Sequence, residues 1–307
     1  MTSERAGEPA RVAALDLQPW AGHASLRQRE LAWILDHVEG DLGVTLEIGC
    51  GNGLTAAVLG GRASLVVASD LPFIDPASHA IGLATTRSYL RAAGSDALLA
   101  GCSGEALPVR DGTVDTVFML YSLEHVPDRD RCLAEVHRVL RPGGRLINVV
   151  PTAPSSVVYP IAFYAELARR VVGRIRQALR RSPGPASSPG EAVGGLGAEP
   201  IVHDWTSFRN AYPQFPLPSP HGEFPSYVAE LREQRVGRWE HLVASSGLVV
   251  EDTLAMSVVP VQLLLAVAGA AGERLHAALE PVDHWLLRRP GSRRFAQSAC
   301  IVARRPG

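Results

Sequence analysis

Between about Val44 and Val150 short apolar runs alternate with longer amphipathic stretches, and that rhythm admits few folds. Strands separated by helical stretches pair in parallel, because each crossover carries the chain back across the sheet before the next strand starts. The expected strands are Val44 to Ile48, Leu65 to Ser69, Ala97 to Gly101, Val114 to Leu120 and Arg145 to Val150. Arg129 to Leu140 carries Cys132, Leu133, Val136, Val139 and Leu140 at helical spacing, and Pro142-Gly143-Gly144 is expected to stop that helix. Residues 24–40 read as an N-terminal amphipathic helix across the sheet.

After Pro151 the alternation ends, so residues 1–150 and 151–307 read as two halves. A helix is expected from Val157 to Arg181, followed by a flexible linker at 182–200, where Pro, Gly, Ser and Ala leave little to bury. Residues 203–225 are dense in aromatics and prolines and read as a lid or substrate wall. A helix from Ser226 to Ser246 closing at Gly247, then strands at Leu248 to Leu254 and Ser298 to Arg304, complete the half; an insertion at 254–295 separates those strands. No internal repeat is visible.

The segment Leu46-Glu47-Ile48-Gly49-Cys50-Gly51-Asn52-Gly53 sits where the first strand must turn into a helix. Glycines at alternate positions open backbone angles closed to other residues and leave no Cβ between chain and ligand. The spacing is G-x-G-x-G, whereas a dinucleotide fingerprint needs G-x-G-x-x-G and would put its third glycine at Leu54. Asp70, ending the next strand, is placed to accept both ribose hydroxyls of an adenosine. Glu47 beside the turn suits an ammonium and would repel a pyrophosphate, which disfavours an NAD-linked oxidoreductase.

These stretches, with the acidic strand end Ser69-Asp70, Glu105 to Val117, Leu123 to Val126 and Glu135 to Leu146, resemble the class I, Rossmann-like S-adenosylmethionine-dependent methyltransferases, in particular their type 11-like bacterial group. The resemblance covers roughly residues 30 to 150. It implies an α/β fold: a seven-stranded, mostly parallel sheet with helices on both faces, the last strand antiparallel, and helical and loop insertions in the C-terminal half. It implies S-adenosylmethionine as cofactor, its methionine moiety held by Glu47 and by Gly49, Cys50, Gly51, Asn52 and Gly53, and its ribose by Asp70. The family's usual acid for the adenine amine is replaced by Ser103, so that contact falls to Ser103, to a backbone carbonyl or to Glu105. The turn at Leu120-Tyr121 is expected to bring a backbone carbonyl near the ammonium.

Methyl transfer from a sulfonium chiefly requires alignment, and a base is needed only where the acceptor loses a proton. His125, just past the fourth strand, is the candidate for proton transfer, with packing behind the cofactor as the alternative. Tyr121, also assigned to the catalytic side, either shapes the acceptor pocket or packs in the core. His203, Asp204, Trp205 and His221 in the aromatic stretch are candidate acceptor contacts. No metal is expected, because the chain lacks the acid cluster of a magnesium-dependent catechol enzyme.

Composition narrows the partners. All thirty basic residues are arginine, so chemistry that needs a lysine amine is excluded, Schiff-base catalysis and the P-loop lysine among it. A net charge of -1 argues against a nucleic-acid partner, and four scattered cysteines without a C-x-x-C pair, with no apolar leader, fit a reducing cytoplasm. Arginine clusters at 169–181 and 288–305 read as solvated faces or as contacts to an anionic acceptor or membrane surface. The apolar run Leu254 to Gly272 reads as buried or interfacial rather than spanning. The expected reaction is methylation, at oxygen, of a small-molecule, sugar-linked or lipid-linked acceptor; a non-catalytic S-adenosylmethionine-binding partner protein is the alternative.

Overall fold

The computed structural model describes residues 21–75, 80–180, 220–268, 270–289 and 291–307. Helix α1 (Ala21–His37) leads into β1 (Gly43–Ile48), α2 (Leu54–Leu59), β2 (Ala63–Asp70) and a small antiparallel pair, β3 (Ile74–Asp75) with β4 (Ala80–Ile81). Then come α3 (Leu83–Ala92), β5 (Leu98–Gly101), β6 (Val114–Leu120), a single 3-10 turn at Leu123–His125, α4 (Arg129–Val139) and β7 (Leu140–Pro151). The C-terminal half holds α5 (Ala153–Arg180), α6 (Tyr227–Glu233), α7 (Val236–Ser245), β8 (Val249–Ala255), α8 (Val261–Ala268), α9 (Ala270–Leu287) and β9 (Ser298–Arg304).

The main sheet has seven strands in the order β5-β2-β1-β6-β7-β9-β8, the first five parallel and β9 antiparallel to both its neighbours. Strand order reverses between β1 and β6, so the carboxyl ends of these strands open a crevice there, where open α/β sheets take their ligands. Alternation of side chains across the pleat divides the core. On one face Leu46, Val117, Met119 and Leu146 pack with Leu133, Val136, Trp239 and Val243. On the other, Phe118, Ile147 and Val149 pack with Leu31, Ile34, Ala56 and Leu59.

Several expected boundaries shift, and three of the shifts have a visible local reason. The chain enters β7 at Leu140 rather than Arg145, because Pro142-Gly143-Gly144 is stitched to the end of β9: Gly143 N–H donates to the Arg305 carbonyl and Arg305 N–H to that of Gly144. The long helix expected from Ser226 to Ser246 is two, since the Gln234 carbonyl accepts the Ala153 N–H and Arg235 is extended. Helix α5 starts at Ala153, ahead of Val157, and runs through Pro160. Proline has no N–H for the carbonyl four residues back. That carbonyl, of Ser156, accepts the Tyr227 hydroxyl at 2.6 Å instead.

Within the 254–295 insertion, α8 lies against α5 and α9, and the buried Asp283 carboxylate accepts the N–H groups of Val258 and Val259 at 2.8 and 2.7 Å. Among the described residues no helix is long and apolar enough to cross a membrane. The linker at 182–200, and 203–219 of the aromatic stretch, lie outside the described residues.

Candidate active site

The glycine turn is built from both sides. Gly49 and Cys50 donate their N–H groups to the Ser69 carbonyl, which bends the chain out of β1 toward β2. Gly49 has φ +77°, and a Cβ there would lie 2.4 Å from that of Ser122, so neither its angle nor its surroundings admit a side chain. Gly51, at φ +50°, faces open space instead: nothing lies within 4 Å of where its Cβ would be. Asn52 Oδ1 accepts the Leu54 N–H and starts α2. Gly53 (φ +88°) allows close packing on Thr86 and Leu90 of α3. Above the turn lies a cavity of about 550 Å3 whose wall includes Glu47, Gly51, Asp70, Ser103, Leu120 and His125.

Two carboxylates meet the turn. Asp70 accepts the Gly51 N–H through Oδ2 and the Leu71 N–H through Oδ1, both at 2.7 Å. Each oxygen keeps a second lone pair. Glu47 is 1% exposed, and burial pushes its carboxyl up to about 8, with the Asp70 charge adding to the rise and hydrogen bonds from Thr55 and Ala56 opposing it. Its Oε2 is buried without a hydrogen-bond partner. A buried orphan carboxylate oxygen beside an open glycine cradle fits an ammonium-bearing adenosyl ligand.

Ser103 stands on the cavity wall, its Oγ accepting the Glu105 N–H. Glu105 does not stand there: its Oε1 accepts the Asp128 N–H at 2.8 Å and braces the loop into α4. Of the two side chains read as adenine contacts, the structure therefore brings only Ser103 to the cavity.

At the end of β6, Tyr121 takes φ +53°, the only positive φ outside glycine among the described residues. Its hydroxyl donates to Glu30 Oε1 at 2.8 Å and lies 2.8 Å from Ser298 Oγ, while the Arg27 guanidinium sits 3.9 Å from the ring centroid. Burial raises the phenol above its ordinary range, and through Glu30 and Ser298 the hydroxyl ties α1 to β9.

Tertiary structure adds what spacing did not show. Gly222 (φ +101°) passes so close to Glu124 that a Cβ would lie 2.5 Å from the Glu124 carbonyl oxygen; the neighbouring Glu223 N–H donates to that oxygen at 2.8 Å. Arg129 reinforces the contact, donating to the carbonyls of Glu124 and Glu223 and lying over the Phe224 ring. The segment is thereby held so that the rings of His221 and His125 stand edge to face, 5.0 Å between centroids. Glu124, with a carboxylate oxygen within 4.8 Å of a ring nitrogen of each, is fully buried, burial pushing its carboxyl up to about 8. A second cavity of about 290 Å3 adjoins the first, sharing Arg27, Tyr121 and His221. His203, Asp204 and Trp205 lie outside the described residues. Sequence reasoning missed Arg27 and Glu30, which carry no signal beyond lying on an N-terminal helix, and assigned no role to Glu124 beside His125.

Residues 46–148 match the family described as "Methyltransferase domain". Among curated proteins the chain is similar to the ubiquinone/menaquinone biosynthesis C-methyltransferase UbiE of Desulfotalea psychrophila, 38% identical over 24% of this chain and 31% of that protein. It is also similar to the 27-O-demethylrifamycin SV methyltransferase of Amycolatopsis mediterranei, 34% identical over 33% of this chain and 36% of that one. The matches thus span about a third of the length of these relatives. Among solved structures, geranyl diphosphate C-methyltransferase from Streptomyces coelicolor A3(2), in complex with Mg2+, geranyl-S-thiolodiphosphate and S-adenosyl-L-homocysteine, superimposes with a TM-score of 0.51 at 13% identity, covering 92% of this chain and 77% of that one. The [4+2]-cyclase SpnF does so with a TM-score of 0.50 at 15% identity, covering 92% and 81%. The matched domain makes residues 46–148 a methyltransferase domain, and the strand order gives that domain the class I, Rossmann-like fold.

Proposed function

We propose that the chain transfers a methyl group from S-adenosylmethionine to an oxygen of a small-molecule acceptor seated in the 290 Å3 cavity. The observation that carries this reading is the wall shared by the two cavities, in which Arg27, Tyr121 and His221 face both. When bound, the cofactor supplies a methyl group on a cationic sulfur, a carbon already activated for displacement. Glu47, the glycine turn and the Leu120 carbonyl would hold the methionine moiety, Asp70 the ribose, and Ser103 or a backbone carbonyl the adenine. The chain's main contribution is alignment, for which up to about 7–11 kcal/mol is available from positioning.

The second cavity is lined by polar groups, among them Ser156, Glu230, Gln234, Ser257 and Ser298. Such a lining suits a hydroxylated acceptor, sugar-linked or otherwise, better than a bare hydrocarbon. It supports methylation at oxygen, although the UbiE relatives and the structural neighbour geranyl diphosphate C-methyltransferase are by name C-methyltransferases. His125, on the cofactor-cavity wall, is placed to take the proton that such an oxygen loses.

Calorimetric titration with S-adenosylhomocysteine and with NAD tests the cofactor: binding of NAD alone overturns the reading. Transfer of radiolabelled methyl from S-adenosylmethionine to fractions of small hydroxylated metabolites, with Asp70→Ala as control, tests the reaction. Tight cofactor binding with no label transferred to any fraction favours a non-catalytic binding partner instead.

A further inference from the structure

We propose that Glu124, His125 and His221 bind a divalent transition-metal ion of the zinc class beside the cofactor cavity. One ligand atom from each residue can be chosen so that all three lie within 4.8 Å of one another. Glu124 has no exposed surface, and neither of its carboxylate oxygens has a hydrogen-bond partner on another residue. A carboxylate so placed is costly unless a cation compensates it. The two arginines within electrostatic reach do not supply that cation directly. Arg129 directs its guanidinium to the carbonyls of Leu123, Glu124 and Glu223. Arg27 pairs with Glu30 and lies over Tyr121.

The donor set argues for the class of ion. Two imidazoles and a carboxylate suit zinc, iron or cobalt, whereas magnesium and calcium prefer oxygen donors alone. Ligand distances of about 2.0–2.2 Å would draw the three side chains closer together than they stand, a change that side-chain rotation can make. Three protein ligands leave coordination positions open, and His125 and His221 both face the cofactor cavity. His221 also faces the smaller cavity, so an oxygen of a molecule held there lies on the side from which an open position is reached. The backbone lock at Gly222 and Glu223 makes the arrangement specific, because it joins a residue of the aromatic stretch to the end of β6. The metal site stands on geometry alone and does not depend on the methyl-transfer reading; with the ion bound, His125 is a ligand and no longer the proton acceptor.

The test uses the full chain, stripped with a chelator and dialysed, and titrated with Zn2+ by calorimetry and with Co2+ by visible absorption. One ion per chain is expected, with a Co2+ spectrum of mixed nitrogen and oxygen ligation. Glu124→Gln keeps the volume and removes the anionic ligand; His221→Ala removes a ligand from a surface segment without touching the sheet core. Each is expected to weaken binding by at least about tenfold, the lower end of what even outer-shell changes cost a metal site. Absence of stoichiometric binding in the wild type, or unchanged affinity in His221→Ala, overturns the proposal. S-adenosylhomocysteine binding measured on the same samples shows whether the cofactor site is intact, so failure of the metal site is distinguishable from failure of the functional reading.

Discussion

Replacing Glu47 by glutamine separates the charge of this side chain from its shape. Burial holds the carboxyl up to about 8, so in mildly acidic buffer it is neutral and must lose a proton before it can face an ammonium. A ligand that needs the anion then binds about tenfold more weakly for each pH unit below 8, or about 1.4 kcal/mol per unit. From pH 7.5 down to 5.5 the affinity for S-adenosylhomocysteine is therefore expected to fall by roughly 75-fold, with about one proton released per ligand bound at the acidic end. Glu47→Gln keeps the neutral shape, so it is expected to fold normally, lose the pH slope and bind weakly throughout. Calorimetry in buffers of different ionisation enthalpy reads affinity and proton release together. A wild-type affinity flat across that range, or a slope that survives in Glu47→Gln, would refute the pairing of Glu47 with the cofactor's ammonium.

The same carboxyl sets a stability trend. Its folded value of about 8 lies above the ordinary 4.5, so the folded state binds more protons than the unfolded state between those limits, and ligand-free stability is expected to fall by up to a few kcal/mol as pH rises through that window. Denaturant midpoints should show a shallower fall in Glu47→Gln. Gly49→Ala combines a left-handed angle with a 2.4 Å approach to Ser122 and is expected to cost about 2–4 kcal/mol in denaturant unfolding; Ser122→Gly should restore part of that, leaving the cost of the angle. Tyr121→Phe strands buried Glu30 and Ser298 groups and should cost about 1–3 kcal/mol, while S-adenosylhomocysteine affinity changes little because the turn itself remains.

The sequence by itself determined the parallel sheet, the place of the glycine turn and the acid at the end of β2. All three are local: hydrophobic period, backbone angles and the end of a strand are properties of neighbouring residues, and Ser298 to Arg304 was legible for the same reason. What depends on approach between distant segments was not. Glu105 reads as a cavity residue by its position after β5, yet the Asp128 N–H takes its carboxylate into the loop before α4. Tyr121 lies at the end of β6 as expected, but Glu30 on α1 and Ser298 on β9 decide what its hydroxyl does. His125 and His221 read as separate candidates, and only the close passage of Gly222 over the Glu124 carbonyl sets their rings 5.0 Å apart near a buried carboxylate. Spacing along the chain records which residues share an element; the desolvation of Glu47 and Glu124, and the company they keep, exist only once the elements have packed.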